Sequence, residues 1–432
     1  MPTQQAGTWS GAVSPRGGRQ VSVRYLGATA TALGASWIGW RYGRNGGWFD
    51  LDVYIRGAQA LVRGEDLYNV SVHGLPFTYP PFAALLFVPV GSLSPWLLEA
   101  IFTAGSLASY AFVLALLGTR LGLRSLDVAL VGLVGLALEP IRFNITLGQI
   151  NLYLMFLVVL DSLLVPKRHR GWLVGLAAGI KLVPGVFLLF FLVKRDWASA
   201  IRFGGAFLGT VIAGFIVAPR ASLDYWLGAF VNLNRWGEGT VAGVWNQSLN
   251  GVWTRHVGSG WGGGLAALML LGCIGLGLSV ALALRASRLG DDVGATLALA
   301  LGGLLASPIS WTHHWVWICP VLLFLKANRL YGSLIVGAAV FWFGPFKLAD
   351  SEATDLNLMQ QLAAATYVVF GVCLLLRLLV PHSDPSEGAG GVHIRRQILW
   401  VRRSAAARLR RLIPGRSRFM RPAVTSDQGP LQ

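Results

Sequence analysis

Long apolar runs separated by short connections recur along most of this chain, and they constrain its fold more than any other feature. Runs of this kind lie at residues 97–117, 171–193 and 265–284, with others between them. Hydrophobic residues make up 54% of the 432 positions and charged residues only 13%, and the mean hydropathy is +0.57. A soluble domain of this length has too little interior to bury so much apolar surface. The sequence therefore predicts an all-α polytopic membrane protein.

The charge of the chain is strongly positive, with 36 Lys and Arg against 19 Asp and Glu and a formal net charge of +17. In a soluble protein this balance would suggest nucleic-acid binding, but here the basic residues lie in short loops and in a tail. Such a distribution is typical of the positive-inside rule and of attraction to anionic membrane lipid, so we expect no nucleic-acid partner. Cys273, Cys319 and Cys373 lie in apolar stretches, and neither a disulfide framework nor a metal site is predicted from them.

Three regions are expected along the chain. Residues 1–24 lack the compact apolar core of a signal peptide, and their Arg residues favour a retained cytoplasmic N-terminal segment. Residues 25–380 are expected to form a transmembrane domain of about 12 full or half helices with both ends in the cytoplasm. Residues 381–432 carry ten Arg and three acidic residues, which predicts a basic, disordered cytoplasmic tail attracted to anionic lipid.

The apolar runs differ in length, and two of them are not read as simple crossings. Full spans are expected at residues 25–40, 97–117, 126–138, 152–165, 203–217, 265–284, 295–306, 315–325, 334–343 and 362–379. The run 82–90 is short and flanked by Pro, so it is expected only to dip into the membrane. The run 171–193 has basic residues at both ends and Lys181 and Pro184 in its middle, which predicts two half-length helices meeting at Lys181.

A polar stretch, residues 48–82, connects the first two apolar segments. Apolar residues recur in it at helical spacing, at Val53, Ile55, Ala58, Leu61 and Val62. Arg and acidic residues occupy positions between and after them. This pattern predicts a short amphipathic helix that lies on the external membrane surface and has Asp50 at its N-terminal end.

The remaining polar residues fall on connections and helix ends that this topology places outside. They are Asp50, Asp52, Tyr79, Arg142, Asn144, Gln149, Asn151, Lys181, Trp245-Asn246-Gln247-Ser248 and His313-His314. Each one alone is explained by solvation or by a satisfied helix end. Adjacent histidines on a helix point to different faces and no acid is near them in sequence, so we expect no metal site. The coincidence of acids, cations and amides on one side predicts an outward-facing polar cavity.

Seven short motifs are spread over residues 48–380. They are DLDVY (50–54), AQAL (58–61), GEDLY (64–68), FTYPPFAAL (77–85), GQIN (148–151), KLVP (181–184) and SPISWTHH (307–314). In combination they resemble glycosyltransferase family 87, integral-membrane enzymes of the GT-C fold that use polyprenyl-phosphate sugars. Within that family the chain is most similar to actinobacterial mannosyltransferases that build phosphatidylinositol mannosides, lipomannan and lipoarabinomannan, commonly through α-(1→2) links. The arabinofuranosyltransferases of the family are the close alternative.

The resemblance implies a GT-C-like bundle and an inverting transfer from polyprenyl-phosphate mannose to a lipid-linked glycan. It places the essential acid of the family at Asp50, as general base, and leaves Asp52 at the variable position as second choice. Cations would stabilise the departing phosphate, and the candidates are Arg142, Lys181, His313 and His314. Candidates for holding sugar hydroxyls are Asp52, Tyr54, Tyr79, Asn144, Gln149, Asn151 and Asn246. A phosphate-lipid donor does not demand a metal, so no cofactor is expected.

Two functions of other classes stay open. A transporter or lipid flippase would also use a broken helix near Lys181, although no internal repeat supports it. A noncatalytic envelope-assembly subunit would leave the Asp50 stretch without a role. The enzyme hypothesis implies a multi-pass protein of the plasma membrane whose active site faces the extracytoplasmic side.

Overall fold

The computed structural model describes residues 47–229, 239–257, 263–349 and 356–380. The predictions for residues 1–24, for a span at 25–40 and for the tail at 381–432 lie outside these described residues. Within them the protein is mostly helical, which confirms the predicted fold class at this level.

The helices vary from six to 26 residues in length. In chain order they are α1 (Phe49–Arg63), α2 (Pro81–Phe87), α3 (Pro95–Arg120), α4 (Ser125–Ala137), α5 (Glu139–Thr146), α6 (Asn151–Val159), α7 (Trp172–Ile180), α8 (Leu188–Val193), α9 (Trp197–Val217), α10 (Pro219–Asp224), α11 (Leu249–Val257), α12 (Gly263–Arg288), α13 (Asp292–Ala306), α14 (Ile318–Ala327), α15 (Tyr331–Phe343), α16 (Leu358–Ala364) and α17 (Thr366–Leu379). Single 3₁₀ or π turns join several of them, including Val183–Phe187 before α8 and Thr312–Trp317 before α14.

Three of the described helices are long and apolar enough to cross a membrane, namely α3, α9 and the Leu268–Arg288 part of α12. The number rises to five if two bent pairs each form one span, α4 with α5 at 63° and α16 with α17 at 67°. Five shorter apolar stretches, counted together with the 3₁₀ or π turns that continue them, have 10–17 residues: 81–90, 151–164, 183–193, 292–306 and 331–343. Several apolar side chains of α9 are largely exposed, as expected for a surface that meets lipid. The described residues are thus mostly helical and include three to five helices able to cross a membrane, whereas the predicted total of about 12 spans stays a prediction.

The helix expected around Asp50 is α1, but its buried face differs from the expected one. Val53 and Ala58 are buried as predicted, whereas Val62 is 69% exposed. Leu51, Tyr54 and Ala58 are each 1% exposed and recur every three to four positions on one helical face, and Ala60, at 0%, is buried outside that row. Val62 lies in the last turn of α1 and does not take part in the packed face.

A small β-hairpin follows α1, and the sequence analysis did not anticipate any strand. Ser71–Val72 (β1) pairs antiparallel with Leu75–Pro76 (β2). The turn between them consists of His73 and Gly74, both with positive φ, at 54° and 74°. Two successive positive φ angles are what a tight two-residue hairpin requires. The hairpin brings Leu75 and Pro76 to the wall of the cavity described below.

The break predicted at Lys181 is confirmed. Helix α7 ends at Ile180, and Lys181 has the extended backbone angles φ −147° and ψ 126°. A 3₁₀ turn at Val183–Phe187 then carries Pro184 in its first turn, where its missing N–H is tolerated, and α8 resumes the helical path. The break leaves the side chain of Lys181 at the junction of two half-length helices.

Helix α7 is positioned by a buried carboxylate that the sequence analysis did not single out. Asp161 is fully buried and accepts hydrogen bonds from the backbone N–H groups of Gly171, at 2.9 Å, and Val174, at 3.0 Å. These N–H groups belong to the start of α7 and have no partner within the helix, so a carboxylate there acts as a cap. A Cβ atom on Gly171 would lie 2.2 Å from the Ser199 carbonyl oxygen, so α9 approaches α7 as closely as glycine allows.

Candidate active site

A cavity of about 790 Å³ is lined by residues of five of the seven motifs, whereas AQAL (58–61) and GEDLY (64–68) contribute none of the described lining residues. Its titratable and amide-bearing lining residues are Asp50, Tyr79, Gln149, Lys181, Tyr225, His313 and His314, and the six of them other than Tyr225 are here called the cavity cluster. The rest of the wall is mainly apolar, with Val183, Val186 and Leu189 on the broken-helix side. Six of the predicted site residues therefore meet at one cavity, although they come from widely separated parts of the chain.

Asp50 is held in place through the first turn of α1. The backbone N–H groups of Asp50 and Leu51 both donate to the Leu147 carbonyl, at 3.0 and 3.2 Å. Gly148 follows with φ 67°, and a Cβ atom there would lie 2.6 Å from the Leu51 Cβ. Only glycine permits both this backbone angle and this close approach. The turn therefore packs against the helix start and sets Gln149 beside the Asp50 carboxylate.

Burial raises the pKa of Asp50 to about 6, while a hydrogen bond from Gln149 and the charge of Lys181 act in the opposite direction. The carboxylate is consequently ionised at neutral pH and yet more basic than an exposed Asp. A group with these properties can accept a proton in a reaction run near neutral pH.

Tyrosine hydroxyls continue the network behind Gln149. The Tyr54 hydroxyl lies 2.9 Å from Gln149 Oε1, to which it donates, and 3.1 Å from the Tyr79 hydroxyl. Tyr79 lines the cavity, whereas Tyr54 is buried and is not among the described lining residues. Tyr54 therefore orients Gln149 and Tyr79 and does not itself reach the cavity.

Lys181 is the cation of the cavity cluster. Its Nζ donates to Asn151 Oδ1 at 2.9 Å and lies 3.1 Å from His314 Nε2. It also lies 5.5 Å from the centre of the Tyr79 ring. Asn151 in turn donates to the His313 carbonyl at 3.1 Å, which ties the lysine to the histidine pair. An ammonium has three donors, so these two contacts leave one N–H for a ligand.

The histidines differ from the expected pair of cations. A charged Lys181 offers only donors, so His314 Nε2 must accept, and His314 is then a neutral imidazole with its proton on Nδ1. His314 Nδ1 and both ring nitrogens of His313 are buried and have no hydrogen-bond partner among the described residues. Both residues line the cavity beside the Lys181 ammonium, and three of their four ring nitrogens have no hydrogen-bond partner among the described residues.

Two charged residues expected at the cavity lie elsewhere. Asp52 is half exposed and pairs with His73 at 2.9 Å, because two residues along a helix turn a side chain to another face. Arg142 is half-buried and acts electrostatically on Glu139 and Tyr367. Neither is among the described lining residues. The expectation that both would face the substrate is corrected accordingly.

Two amides expected to hold sugar hydroxyls are also placed differently. Asn246 is fully buried and already bonded, donating to the Val241 and Pro308 carbonyls and accepting from the Ser310 N–H. Asn144 is fully buried within α5, and neither side-chain atom has a partner among the described residues. Both side chains lie outside the described cavity lining, so neither has the position predicted for it.

Asn246 belongs to a second group of polar residues, here called the scaffold cluster: Glu139, Asn246, Gln247, Thr312 and Tyr367. Glu139 is buried and accepts from the Thr312 hydroxyl at 2.7 Å and the Tyr367 hydroxyl at 2.9 Å. Gln247 bonds the Val244 and Ala364 carbonyls and the Tyr367 N–H. These bonds join α5 and α17 to the segment that carries the histidines. Glu139 could have been noticed in the sequence, because it is an acidic residue directly after the apolar run 126–138, but the sequence analysis did not select it.

The predictions gave no role to several of the aromatic lining residues, although they named Trp245 in the run Trp245-Asn246-Gln247-Ser248. Phe143, Trp245 and Trp311 line the cavity, whereas the predictions had chosen their polar neighbours Arg142, Asn144 and Asn246. Helical phase explains the first case, because Phe143 on α5 points to a face that its neighbours do not share.

Comparison with known proteins gives a consistent result. The family model for glycosyltransferase family 87 matches residues 77–308. A polyprenol-phosphate-mannose-dependent α-(1→2)-phosphatidylinositol mannoside mannosyltransferase of Mycolicibacterium smegmatis is 35% identical over 81% of this chain and 88% of its own length. A protein of the same description from Mycobacterium tuberculosis is 32% identical over 80% and 87%.

A third relative, a polyprenol-phosphate-mannose-dependent α-(1→2)-phosphatidylinositol pentamannoside mannosyltransferase of M. smegmatis, is 36% identical over 68% of this chain and 73% of its own length. No solved structure matches the chain. The match to the family model and the extent of these similarities show that the chain belongs to glycosyltransferase family 87 and is a membrane glycosyltransferase.

Proposed function

We propose that this enzyme transfers mannose from polyprenyl-phosphate mannose to a phosphatidylinositol mannoside and forms an α-(1→2) link. The observation that carries the proposal is the pairing of one carboxylate and one ammonium, Asp50 and Lys181, in a cavity whose other walls are largely apolar. A lipid-linked sugar phosphate has the matching parts, namely a hydroxyl-rich ring, a single anionic group and an apolar chain.

In this mechanism the acceptor hydroxyl attacks the anomeric carbon of the donor from the face opposite the phosphate. A bond forms between that oxygen and the carbon, the bond from the carbon to the phosphate oxygen breaks, and the hydroxyl proton passes to the Asp50 carboxylate. A β-linked mannosyl phosphate then gives an α-mannoside, because the displacement inverts the carbon. The lipid phosphate leaves with the bonding electrons.

Negative charge on the departing phosphate increases as the bond breaks, so a fixed cation stabilises the transition state more than the bound donor. Lys181 supplies that charge, and His314, which lines the cavity and has an N–H without a partner among the described residues, is proposed to add a hydrogen bond. Tyr79 and Gln149 line the same space and are suited to hold sugar hydroxyls. Asn151 and Tyr54 support Lys181 and Gln149 from behind.

The surrounding architecture is proposed to be a GT-C-like bundle of about 12 full or half spans in the plasma membrane. Helix α1 would lie on the external surface and the cavity would face the extracytoplasmic side, with lipomannan or lipoarabinomannan as further possible acceptors. The named activities of the mycobacterial relatives support the donor, the acceptor class and the linkage.

The decisive experiment is an assay of the purified protein with polyprenyl-phosphate mannose and a panel of phosphatidylinositol mannosides of increasing mannose number. The expected result is addition of one mannose that an α-(1→2)-specific mannosidase removes. Use of polyprenyl-phosphate arabinofuranose instead would identify the family's other activity. Movement of the donor between the leaflets of a vesicle, without transfer, would identify a flippase.

A further inference from the structure

One wall of the cavity is aromatic, and none of the polar groups discussed so far accounts for it. Phe143 and Trp245 both line the cavity, and their ring centres lie 5.8 Å apart with planes inclined by 31°. The Phe143 ring lies 5.7 Å from that of His313, so the wall continues directly from the histidine pair. Trp245 is 38% exposed even though the residues after it are fully buried.

The wall is fixed from behind. Trp245 packs edge to face on the fully buried Phe346, with ring centres 5.2 Å apart. The next residue, Asn246, is held by the hydrogen bonds of the scaffold cluster and pairs with Trp311 in an isolated β-bridge. The indole is therefore held in one orientation with part of its surface uncovered. A rigid, exposed aromatic surface at a polar site is suited to a ligand with both apolar and hydroxylated faces.

A pyranose ring is such a ligand. Its hydroxyl groups point outward, while the C–H bonds on one face carry slight positive charge and meet the electron-rich face of an aromatic ring. An isoprenoid or acyl chain finds its complement elsewhere in the cavity, along the aliphatic side formed by Val183, Val186 and Leu189.

The position of the wall distinguishes acceptor sugar from donor sugar. The donor sugar is bonded directly to the phosphate that Lys181 holds. Trp245 is separated from Lys181 by a series of contacts that runs through His314, His313 and Phe143. An acceptor glycan, which extends over more than one sugar, reaches both the Asp50 carboxylate and this wall.

We infer that Phe143 and Trp245 form a subsite that stacks on a mannosyl residue of the acceptor glycan. This inference rests on the proposed function for the identity of the sugar. It assigns acceptor binding to an aromatic surface, where the sequence had suggested the neighbouring amides Asn144 and Asn246.

The kinetic test compares Trp245→Leu with Trp245→Phe. The leucine variant is expected to raise KM for the phosphatidylinositol mannoside about three- to tenfold, and the phenylalanine variant to stay within about twofold of wild type. KM for the polyprenyl-phosphate donor is expected to be unchanged in both. Trp253→Leu is the matched control, because Trp253 is 41% exposed and is not among the described lining residues. A rise in donor KM instead, or an unchanged acceptor KM, overturns the assignment.

A binding measurement keeps the inference separate from the proposed donor. Saturation-transfer NMR with methyl α-(1→2)-mannobioside needs no donor and reports which sugar C–H groups contact the protein. We expect signal on the C–H protons with wild type and with Trp253→Leu, and its loss with Trp245→Leu. If the NMR signals followed this expectation but the protein transferred no mannose, only the proposed reaction would be refuted. Equal signal with Trp245→Leu, or none with wild type, would refute the subsite.

Discussion

The scaffold cluster and the cavity cluster contain similar residue types and differ in how far their hydrogen-bonding capacity is used. In the scaffold cluster both carboxylate oxygens of Glu139, and both amide atoms of Asn246 and Gln247, have partners. In the cavity cluster three imidazole nitrogens of His313 and His314 have none among the described residues. Burying a polar group without a hydrogen-bond partner costs free energy. Such groups on residues beside a cavity therefore indicate a ligand that forms the missing hydrogen bonds.

The two clusters adjoin within a single turn of chain. Thr312 and His313 both line the cavity, but the Thr312 hydroxyl donates to Glu139, whereas the ring nitrogens of His313 have no partner among the described residues. Two residues adjacent in sequence thus have different roles, because Thr312 holds the segment in place and His313 has ring nitrogens that are available to a ligand. The comparison predicts that changes in the cavity cluster alter turnover, and that changes in the scaffold cluster alter stability.

The largest effect is expected for Asp50→Asn, which keeps the size of the side chain but cannot accept a proton at neutral pH. Loss of a general base costs on the order of 10² to 10⁴ in rate. Asp52→Asn is the matched control, because Asp52 is half exposed and pairs with His73. Mannosyl transfer at saturating donor and acceptor measures both. If Asp52→Asn were inactive and Asp50→Asn active, the base would have to be reassigned.

The next effect concerns the leaving phosphate. Lys181→Gln removes the ammonium from the cavity cluster and is expected to lower donor use about ten- to hundredfold, as for the loss of a charge-assisted contact. Arg142→Gln is expected to leave donor use nearly unchanged, because Arg142 lies beside Glu139. Donor kcat/KM and thermal unfolding in detergent should be measured for both. If both variants were stable and lost donor use equally, Arg142 would have to be returned, with Lys181, to the residues that stabilise the leaving phosphate.

The pH dependence tests the Asp50 environment. Because the pKa of Asp50 is raised to about 6, its basic form is present above that pH and is lost below it. Transfer should therefore fall about tenfold per pH unit below pH 6. Gln149→Leu removes the hydrogen bond that lowers this pKa, so its profile is expected to move to higher pH. A profile identical to that of wild type would show that another group controls the rate.

The smallest effect on turnover is expected in the scaffold cluster. Glu139→Leu leaves the Thr312 and Tyr367 hydroxyls buried without their acceptor, at a cost of roughly 1–3 kcal/mol for each group. Glu139→Gln keeps one acceptor oxygen and should be intermediate. Thermal unfolding in detergent is expected to rank wild type, Gln and Leu in descending order, with kcat per folded molecule changed little. A normal melting temperature combined with a lost rate would move Glu139 into the catalytic group.

The sequence predicted the features that depend on local pattern. Apolar runs predicted helices, and a lysine and a proline within one run predicted the break that the backbone of Lys181 shows. Family motifs predicted most of the cavity cluster. The sequence did not indicate which face of α5 meets the cavity, because Arg142, Phe143 and Asn144 differ in direction only through helical phase. It also could not tell a saturated amide such as Asn246 from an available one, since the partners are distant in sequence.

The carbonyl of Leu147, which accepts from the N–H groups of Asp50 and Leu51, has a consequence for biosynthesis. Asp50 leaves the ribosome long before the Leu147 carbonyl is made. The carbonyl to which Asn151 donates belongs to His313, which is synthesised 162 residues later. A nascent chain therefore carries this carboxylate before Gln149 and Lys181, the two residues that lower its pKa, have been made. The cavity cluster is complete only once synthesis has passed His314, so a shorter nascent chain lacks part of the set of groups that the proposed transfer uses.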